Sequence, residues 1–267
     1  MKKLGHSLFS IFILLLMITG CSANEGTESK GNSTSNQKKV ELTVSAASSL
    51  QDALTEIKTV FEKENPTFKL IYNFGASGSL QQQISQGAPV DIFFSAAEDK
   101  FQKLVDAGLI EENGGIDLVE NDLVLVVPKD STKGIENFED LTKTDKIALG
   151  IPESVPAGQY GKDTLENLNL WSAMEGKIVY AKDVRQVLTY VETTNVDAGI
   201  VYKTDALTSD KIKVVATAEE STHDPIIYPV GVIKNSDHHK EAEQFYQYLQ
   251  GEKAMEILIK YGFKELN

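Results

Sequence analysis

The sequence predicts an α/β fold in which mostly parallel sheets are flanked by helices. Segments with strand patterns alternate with segments of helical period from about residue 40 onward, and this alternation is typical of parallel sheets. The chain has 267 residues, of which 41% are hydrophobic and 24% charged, so it is long enough to form two lobes. In open α/β sheets ligands bind beyond the carboxyl ends of the strands. The turns from strand to helix are therefore the candidate sites.

The first strand and the first helix meet in a turn of small residues. Leu42 and Val44 are typical of a strand, and from Leu50 onward apolar residues recur with a helical period. Ser48 or Ser49 stands where an N-cap is expected. The first turn of a helix offers unpaired N–H groups and the positive end of the helix dipole. The turn is therefore a candidate anion site, with simple helix capping as the alternative.

Strand and helix patterns then alternate along the rest of the chain. Apolar alternation or short apolar runs predict strands over 68–74, 91–95, 123–127, 146–150, 177–181, 198–202, 213–216 and 226–233. Helical periodicity predicts helices over 80–86, 98–107, 159–170, 185–192, 240–249 and 253–261. Gly108 ends the second of these helices, and Pro229 interrupts the pattern of the last strand.

Four strand-to-helix turns share small residues or hydrogen-bond donors, and a fifth stretch ends a strand with a phenol. They are Ala47-Ser48-Ser49, Gly75-Ala76-Ser77-Gly78-Ser79, Val155-Pro156-Ala157-Gly158, Lys182-Asp183-Val184-Arg185 and Gly199-Ile200-Val201-Tyr202. One such turn is common in α/β proteins. Together they indicate several helix N-termini directed at one point.

Six motifs contain these turns or follow them. They are AASSLQDAL (46–54), FGASGSLQQQISQGAPVDIFFSA (74–96), GIPESVPAGQYGKDTL (150–165), AKDVRQVLTYVE (181–192), DAGIVYKTDA (197–206) and YPVGVI (228–233). In residues and in order they resemble the molybdate-binding proteins of ABC importers, as does YGF (261–263) after the last helix. The resemblance extends over nearly all of residues 40–267.

The resemblance implies a two-lobed periplasmic-binding-protein fold of type II, with each lobe a mostly parallel sheet flanked by helices. Lobe 1 would comprise residues 40–122 and the returning segment 223–267, and lobe 2 residues 123–222. The oxyanion would lie in the cleft between the lobes. The bound ion would bridge the lobes and favour the closed form.

The resemblance also implies the residues that bind the oxyanion. They are Ser49, Ser77, Ala157, Val184 and Tyr202, with neighbouring Ser48 as the alternative for the first serine. The serines would donate from hydroxyl and backbone N–H groups, Ala157 and Val184 from N–H alone, and Tyr202 from its phenol. These residues would contact molybdenum only through the oxygens of molybdate.

The chemistry of the ion fits such a site independently. Molybdate is a fully deprotonated tetrahedral dianion at neutral pH, so it needs hydrogen-bond donors and no acceptor. Monohydrogen phosphate carries a proton and favours a site with a carboxylate acceptor. Sulfate is also fully deprotonated, so only the size of the site can exclude it. Molybdate and tungstate are not distinguished, and a binding protein for another oxyanion such as sulfate is the alternative function.

The first residues have the pattern of a lipoprotein signal. Lys2 and Lys3 precede a short apolar run over residues 8–18, and the stretch ends in Ile18-Thr19-Gly20-Cys21, which resembles a lipobox. We expect residues 1–20 to be a signal peptide and Cys21 to carry a lipid such as palmitate. The lipid would hold the protein at the extracytoplasmic face of the cell membrane, with residues 21–39 as a flexible tether. An ordinary signal peptide is the alternative.

Composition argues against several other classes of function. The net charge is −13, and residues 1–20 contain two lysines and no acid, so the remainder stands at −15; this disfavours nucleic-acid binding. Residue 79 is Ser, so the second turn is not a G-x-S-x-G nucleophile elbow, and none of the five stretches contains a His to activate a serine. We expect a monomer without enzymatic activity or cofactor, whose partner is an ABC permease with its ATPase.

Some charged residues near the turns have rival interpretations. Arg185, the only arginine, is either an anion ligand or part of an ion pair with the other lobe, and the ion pair is favoured. Asp52, Asp91 and Asp183 are interpreted as helix caps or loop anchors rather than catalytic acids. The histidines at 223, 238 and 239 are interpreted as solvated residues and not as a metal site.

Overall fold

The computed structural model describes residues 39–266, which form two β-sheets flanked by helices. The predicted signal peptide (1–20), the predicted lipidation site Cys21 and all but the last residue of the predicted tether (21–39) lie outside the described residues. Among the residues described, no helix is long and apolar enough to cross a membrane.

The strands and helices alternate as the sequence predicts. The strands are β1 Val40–Ala47, β2 Phe68–Gly75, β3 Ile92–Phe94, β4 Gly115–Glu120, β5 Leu123–Pro128, β6 Ile147–Gly150, β7 Ile178–Ala181, β8 Ala198–Tyr202, β9 Ile212–Thr217, β10 Ile227–Val232 and β11 Lys264–Glu265. The helices are α1 Gln51–Glu64, α2 Ser77–Ser85, α3 Glu98–Asp106, α4 Pro156–Asn167, α5 Trp171–Met174, α6 Val184–Glu192, α7 Lys203–Ala206, α8 His239–Leu249 and α9 Glu252–Lys260.

The strands are divided between two sheets. Sheet 1 has the order β11-β4-β10-β3-β1-β2, and sheet 2 has the order β7-β6-β8-β5-β9. Sheet 1 therefore takes its strands from residues 40–120 and 227–265, and sheet 2 from residues 123–217. The α/β class with two helix-flanked sheets is confirmed, while the lobe boundaries at 122/123 and 222/223 stay a prediction.

The prediction of mostly parallel sheets is wrong, because both sheets are mixed. In sheet 1, β1 pairs in parallel with β2 and β3, whereas β10 is antiparallel to β3 and β4, and β11 is antiparallel to β4. In sheet 2, β6 is parallel to β7 and β8, but β5 is antiparallel to β8 and β9. The reason is connectivity: β5 and β10 arrive directly from the other sheet. Both strands begin at the edge of the sheet where the parallel strands end, so they must run antiparallel to those strands.

The core is built from the apolar faces that the sequence pattern indicates. Leu42 and Val44 of β1 and Ile57 of α1 are fully buried. Phe61 of α1 packs edge-on against Phe245 of α8, with 4.8 Å between ring centroids. Burial of each such side chain stabilises the fold by about 1.5–3 kcal/mol. The packing holds β1 and α1 rigidly, and with them the turn that connects them.

Two crossovers connect the sheets. Residues 121–122 lead from β4 to β5, and residues 218–226 lead from β9 to β10. They are hydrogen-bonded to each other, since the N–H of Asn121 donates to the carbonyl of Ile226 over 3.1 Å. Two adjacent connecting segments of this kind are a typical position for a hinge between two lobes.

Candidate functional site

The residues implied as ligands lie together around one small cavity between elements of the two sheets. At most about 190 Å³ at this place is free of protein atoms, and this volume includes space that is open to solvent. Its lining is Ala47, Ser48, Ser49, Gly75, Ala76, Ser77, Ala96, Val155, Pro156, Ala157, Val184 and Tyr202. The cavity is therefore of a size for a small inorganic ion.

Both sheets contribute to this lining. Ser49 lies in the 3₁₀ turn Ser48–Leu50 at the end of β1, and Ser77 is the first residue of α2, so both follow strands of sheet 1. Ala157 is the second residue of α4, Val184 the first of α6 and Tyr202 the last of β8, all attached to sheet 2. The N–H groups at the start of a helix have no intrahelical partner. Several helix N-termini therefore offer N–H groups at one place.

Each of the two serine hydroxyls has a partner within the protein. Ser77 Oγ accepts from the N–H of Ala96 over 2.9 Å, which leaves the hydroxyl hydrogen of Ser77 free. Ser49 Oγ lies 2.9 Å from the phenol oxygen of Tyr228. Ser48 lines the cavity as well as Ser49.

The expected capping by Ser48 or Ser49 is wrong. The N-cap of the 3₁₀ turn is Ala47 and that of α1 is Leu50, and neither of these N-cap residues makes a side-chain capping hydrogen bond. The tight 3₁₀ turn places both serines inside the helical start rather than before it. Their hydroxyls are thereby available to the cavity and to Tyr228.

Tyr202 is a neutral donor. Its side chain is 1% exposed, and burial raises the pKa of its phenol well above the ordinary value. The carbonyl of Ala96 is 3.5 Å from the phenol oxygen, which is the outer limit of a hydrogen bond, and the hydroxyl of Tyr228 is a second hydrogen-bonding neighbour. The phenol therefore keeps its proton and can act as a donor.

The lining of the cavity contains no carboxylate, ammonium or guanidinium group. Arg185 follows Val184 in the chain but is engaged elsewhere: it forms an ion pair with Asp52 of α1, and its Nε lies 2.7 Å from Oδ1 of Asp205. The favoured ion-pair interpretation of Arg185 is confirmed. Asp205 is fully buried, and burial raises its pKa to about 7 although Arg185 opposes the shift.

The other acids have structural partners. Asp183 is the N-cap of α6 and accepts from the N–H of Gln186 over 2.8 Å, as predicted. Asp91 is a loop anchor, since its carboxylate accepts from the N–H of Thr43 over 2.7 Å. Asp52 is neither cap nor anchor but the partner of Arg185. Within residues 39–266, no group of three or more His, Cys, Asp or Glu is arranged to hold a metal ion.

The cavity is closed in this structure. Ser77 is 0% exposed, and contacts between elements of the two sheets surround the cavity. Gly78 N–H donates to the carbonyl of Ser154 over 3.0 Å, and Lys100 Nζ donates to Gln159 Oε1 over 3.3 Å. A Cβ at Gly78 would lie 2.8 Å from the Ser154 carbonyl oxygen, so the approach requires glycine. An ion can enter only when these contacts open.

Tyr228 and Asn121 are the residues at the site that sequence reasoning missed. Tyr228 Oη contacts Ser49 from β10, and Asn121 Nδ2 donates to Tyr228 Oη over 3.2 Å. Tyr228 opens the motif YPVGVI, so a signal was present. Its contact with Ser49 depends on how β10 lies in sheet 1, where the register shifts between Tyr228 and Pro229. A local pattern does not contain that information.

Comparisons with known proteins agree with this fold and site. The family model of bacterial extracellular solute-binding proteins matches residues 42–264. A Bacillus subtilis protein, YvgL, provisionally named an ABC transporter substrate-binding lipoprotein, is 54% identical over 96% of this chain and 97% of its own. The molybdate-binding protein ModA of Escherichia coli is 38% identical over 87% of this chain and 91% of its own.

A solved structure is similar as well. It is the substrate-binding domain, from Clostridium difficile, of a transporter provisionally named a molybdenum ABC transporter. It is 45% identical, with a TM-score of 0.66 over 85% of this chain and 99% of that one. The motif resemblance and the family model thus point to the same group. The chain belongs to the family of bacterial extracellular solute-binding proteins.

Proposed function

We propose that this protein captures molybdate, and also tungstate, outside the cell and delivers it to an ABC permease with its ATPase. The observation that carries the proposal is the cavity itself. Ser49, Ser77, Ala157, Val184 and Tyr202 surround it with N–H and O–H groups. The name of the Escherichia coli relative supports molybdate as the ion.

The chemistry of the lining favours a fully deprotonated dianion. A molybdate oxygen only accepts hydrogen bonds, and every polar group assigned to it here is a donor. Helix N-termini stabilise the negative charge without any cation in the cavity. A protonated oxyanion such as hydrogen phosphate would leave its own O–H without an acceptor, which is unfavourable in a buried site.

Sulfate is the second candidate, because it is also a tetrahedral dianion without a proton. It is smaller than molybdate, so donors fixed at the spacing of the larger ion would lose contact with some of its oxygens. The rigid mounting of the turns on buried strands and helices supports discrimination by size. Ser77 is one such donor, because its Oγ is held in place by a hydrogen bond from the N–H of Ala96.

The place and mode of action follow from the same reasoning. A lipid on Cys21 would keep the protein at the extracytoplasmic face of the membrane, and the word lipoprotein in the name of the Bacillus subtilis relative supports this. The protein would act as a monomer, without cofactor or enzymatic activity, since it would release its ion unchanged. Nothing in the cavity lining resembles a nucleophile–base pair.

Isothermal calorimetry on purified protein without residues 1–39 tests the proposal. Separate titrations with molybdate, tungstate, sulfate and phosphate should give tight binding of the first two and weak or no binding of the others. Sulfate as the preferred ligand, or binding of none of the four, would overturn the proposal. Hydrolysis of an ester substrate would overturn the assignment as a non-enzyme.

A further inference from the structure

A buried hydrogen-bond chain leads from the crossover between the sheets to the cavity. It runs from Asn121 to Tyr228 to Ser49, with distances of 3.2 Å and 2.9 Å between the polar atoms. Tyr228 is 0% exposed and is not part of the cavity lining. Its ring lies edge-on to that of Tyr202, with 5.8 Å between centroids. The phenol of Tyr228 thus lies outside the cavity lining, next to Ser49 at the end of β1 and Tyr202 at the end of β8.

The direction of this chain is set at Asn121. Its Oδ1 lies 2.9 Å from the backbone N–H of Asp122, and because that group can only donate, the amide oxygen must face it. The amide NH₂ therefore faces the other way, where it donates to Thr204 Oγ1 over 2.8 Å and to Tyr228 Oη. An amide nitrogen cannot accept, so the oxygen of Tyr228 is the acceptor in this contact.

The same reasoning continues to Ser49. Burial raises the pKa of Tyr228 well above its ordinary value, so the phenol keeps its single hydrogen. By distance alone, either oxygen of the Tyr228–Ser49 contact can be the donor. Because Tyr228 Oη already accepts from Asn121, we infer that the phenol gives its hydrogen to Ser49 Oγ, which leaves the hydrogen of Ser49 free for the cavity. Such chains strengthen each bond by polarising the next.

We propose that Tyr228 and Asn121 are positioning residues that fix Ser49 as a hydrogen donor toward the bound oxyanion. This rests on the proposed function and extends it. A serine alone could turn either its hydrogen or a lone pair to the ligand. With Tyr228 donating to it, Ser49 offers its hydrogen, which suits an oxyanion without a proton. The chain therefore contributes to selection against protonated oxyanions.

A double-mutant cycle tests the chain. Calorimetry with molybdate would compare Tyr228→Phe, Ser49→Ala and the double variant with the unaltered protein. We expect about tenfold weaker binding for Tyr228→Phe, and no further loss when this change is added to Ser49→Ala. Tyr248→Phe is the matched control, since the Tyr248 hydroxyl is buried and has no hydrogen-bond partner among the described residues. Its affinity should be unchanged.

A second variant reverses the direction of the chain. In Asn121→Asp an acceptor replaces the NH₂ group, so Tyr228 would donate to residue 121, and Ser49 would turn its hydrogen away from the cavity. We expect weaker molybdate binding than in Tyr228→Phe, and a smaller effect of Asn121→Asp when Phe occupies position 228. Simple repulsion by the added charge would act equally with Tyr or Phe there. Thermal unfolding without ligand checks that each variant is folded.

The outcomes separate this inference from the proposed function. If the unaltered protein binds no tetrahedral oxyanion, the proposed function fails and the inference fails with it. If it binds molybdate but Tyr228→Phe binds equally well, the inference alone is overturned. It is also overturned if the losses of Tyr228→Phe and Ser49→Ala simply add, or if Asn121→Asp has the same effect in both backgrounds.

Discussion

The oxygen of Ser77 accepts from the N–H of Ala96, so Ser77 keeps a hydrogen for the cavity, and we propose the same for Ser49, whose Oγ contacts Tyr228 Oη. The sequence could indicate both serines because each stands in a turn of small residues between a strand and a helix. It indicated Tyr228 only as the first residue of the motif YPVGVI, because the contact of Tyr228 with Ser49 arises only where β10 and the end of β1 meet in space.

The hydroxyl of Ser77 can be tested by its removal. In Ser77→Ala the cavity loses one O–H donor and the N–H of Ala96 loses its acceptor, while the backbone N–H of residue 77 stays. We expect molybdate binding to weaken by about tenfold or more, with the protein still folded. Calorimetry gives the affinity, and circular dichroism without ligand checks the fold. Equal affinity in this variant would remove Ser77 from the set of ligands.

The buried acid Asp205 should make stability depend on pH. Burial raises its pKa from the ordinary 3.8 to about 7, against Arg185, while Asp52 and Asp183 add smaller raising effects. Between these two values the folded state holds a proton that the unfolded state has lost, so the stability from this group is full below pH 3.8 and is lost as the pH rises toward 7.

The substitution Asp205→Asn isolates this contribution. An amide does not titrate, so the fall in thermal midpoint between about pH 4 and 7 should be smaller in the variant than in the unaltered protein. Differential scanning calorimetry at several pH values measures both curves without ligand. Parallel curves for the two proteins would contradict the raised pKa.

At the scale of elements, the sequence predicted helices and strands more reliably than it predicted where they begin. It predicted helices from residues 80 and 159, whereas α2 begins at Ser77 and α4 at Pro156. The apolar period starts only where side chains enter the core. The first turns of α2 and α4 consist of small residues and Pro, which show no apolar periodicity but are suited to the start of a helix. These overlooked first turns supply the N–H groups of the cavity.

The contact between α2 and the loop before α4 can be tested at Gly78. Its Cα approaches Ser154 so closely that an added Cβ would lie 2.8 Å from the carbonyl oxygen. Gly78→Ala should therefore disfavour closure of the cavity and weaken molybdate binding by roughly tenfold. The matched control is Gly176→Ala, because a Cβ there meets nothing within 4 Å. Similar affinities for the two variants would show that this contact has no part in closure.

At the scale of the whole molecule, two sheets joined by two crossovers hold a closed, neutral cavity between them. The alternation of patterns was enough to predict the α/β class, but not the mixed strand directions, which follow from β5 and β10 entering from the opposite sheet. Since Ser77 and Tyr202 are buried here, binding requires an open form. In the proposed function the ion would contact both sides only in the closed form, and so would shift the equilibrium toward closure.

The most direct test of this account is a crystal structure with molybdate, with the metal located by its anomalous scattering. We expect one molybdenum atom in the cavity, with its oxygens within hydrogen-bonding distance of the hydroxyls of Ser49, Ser77 and Tyr202 and the N–H groups of Ala157 and Val184. Molybdate bound outside this cavity, or held by the guanidinium of Arg185 in place of these neutral donors, would contradict it.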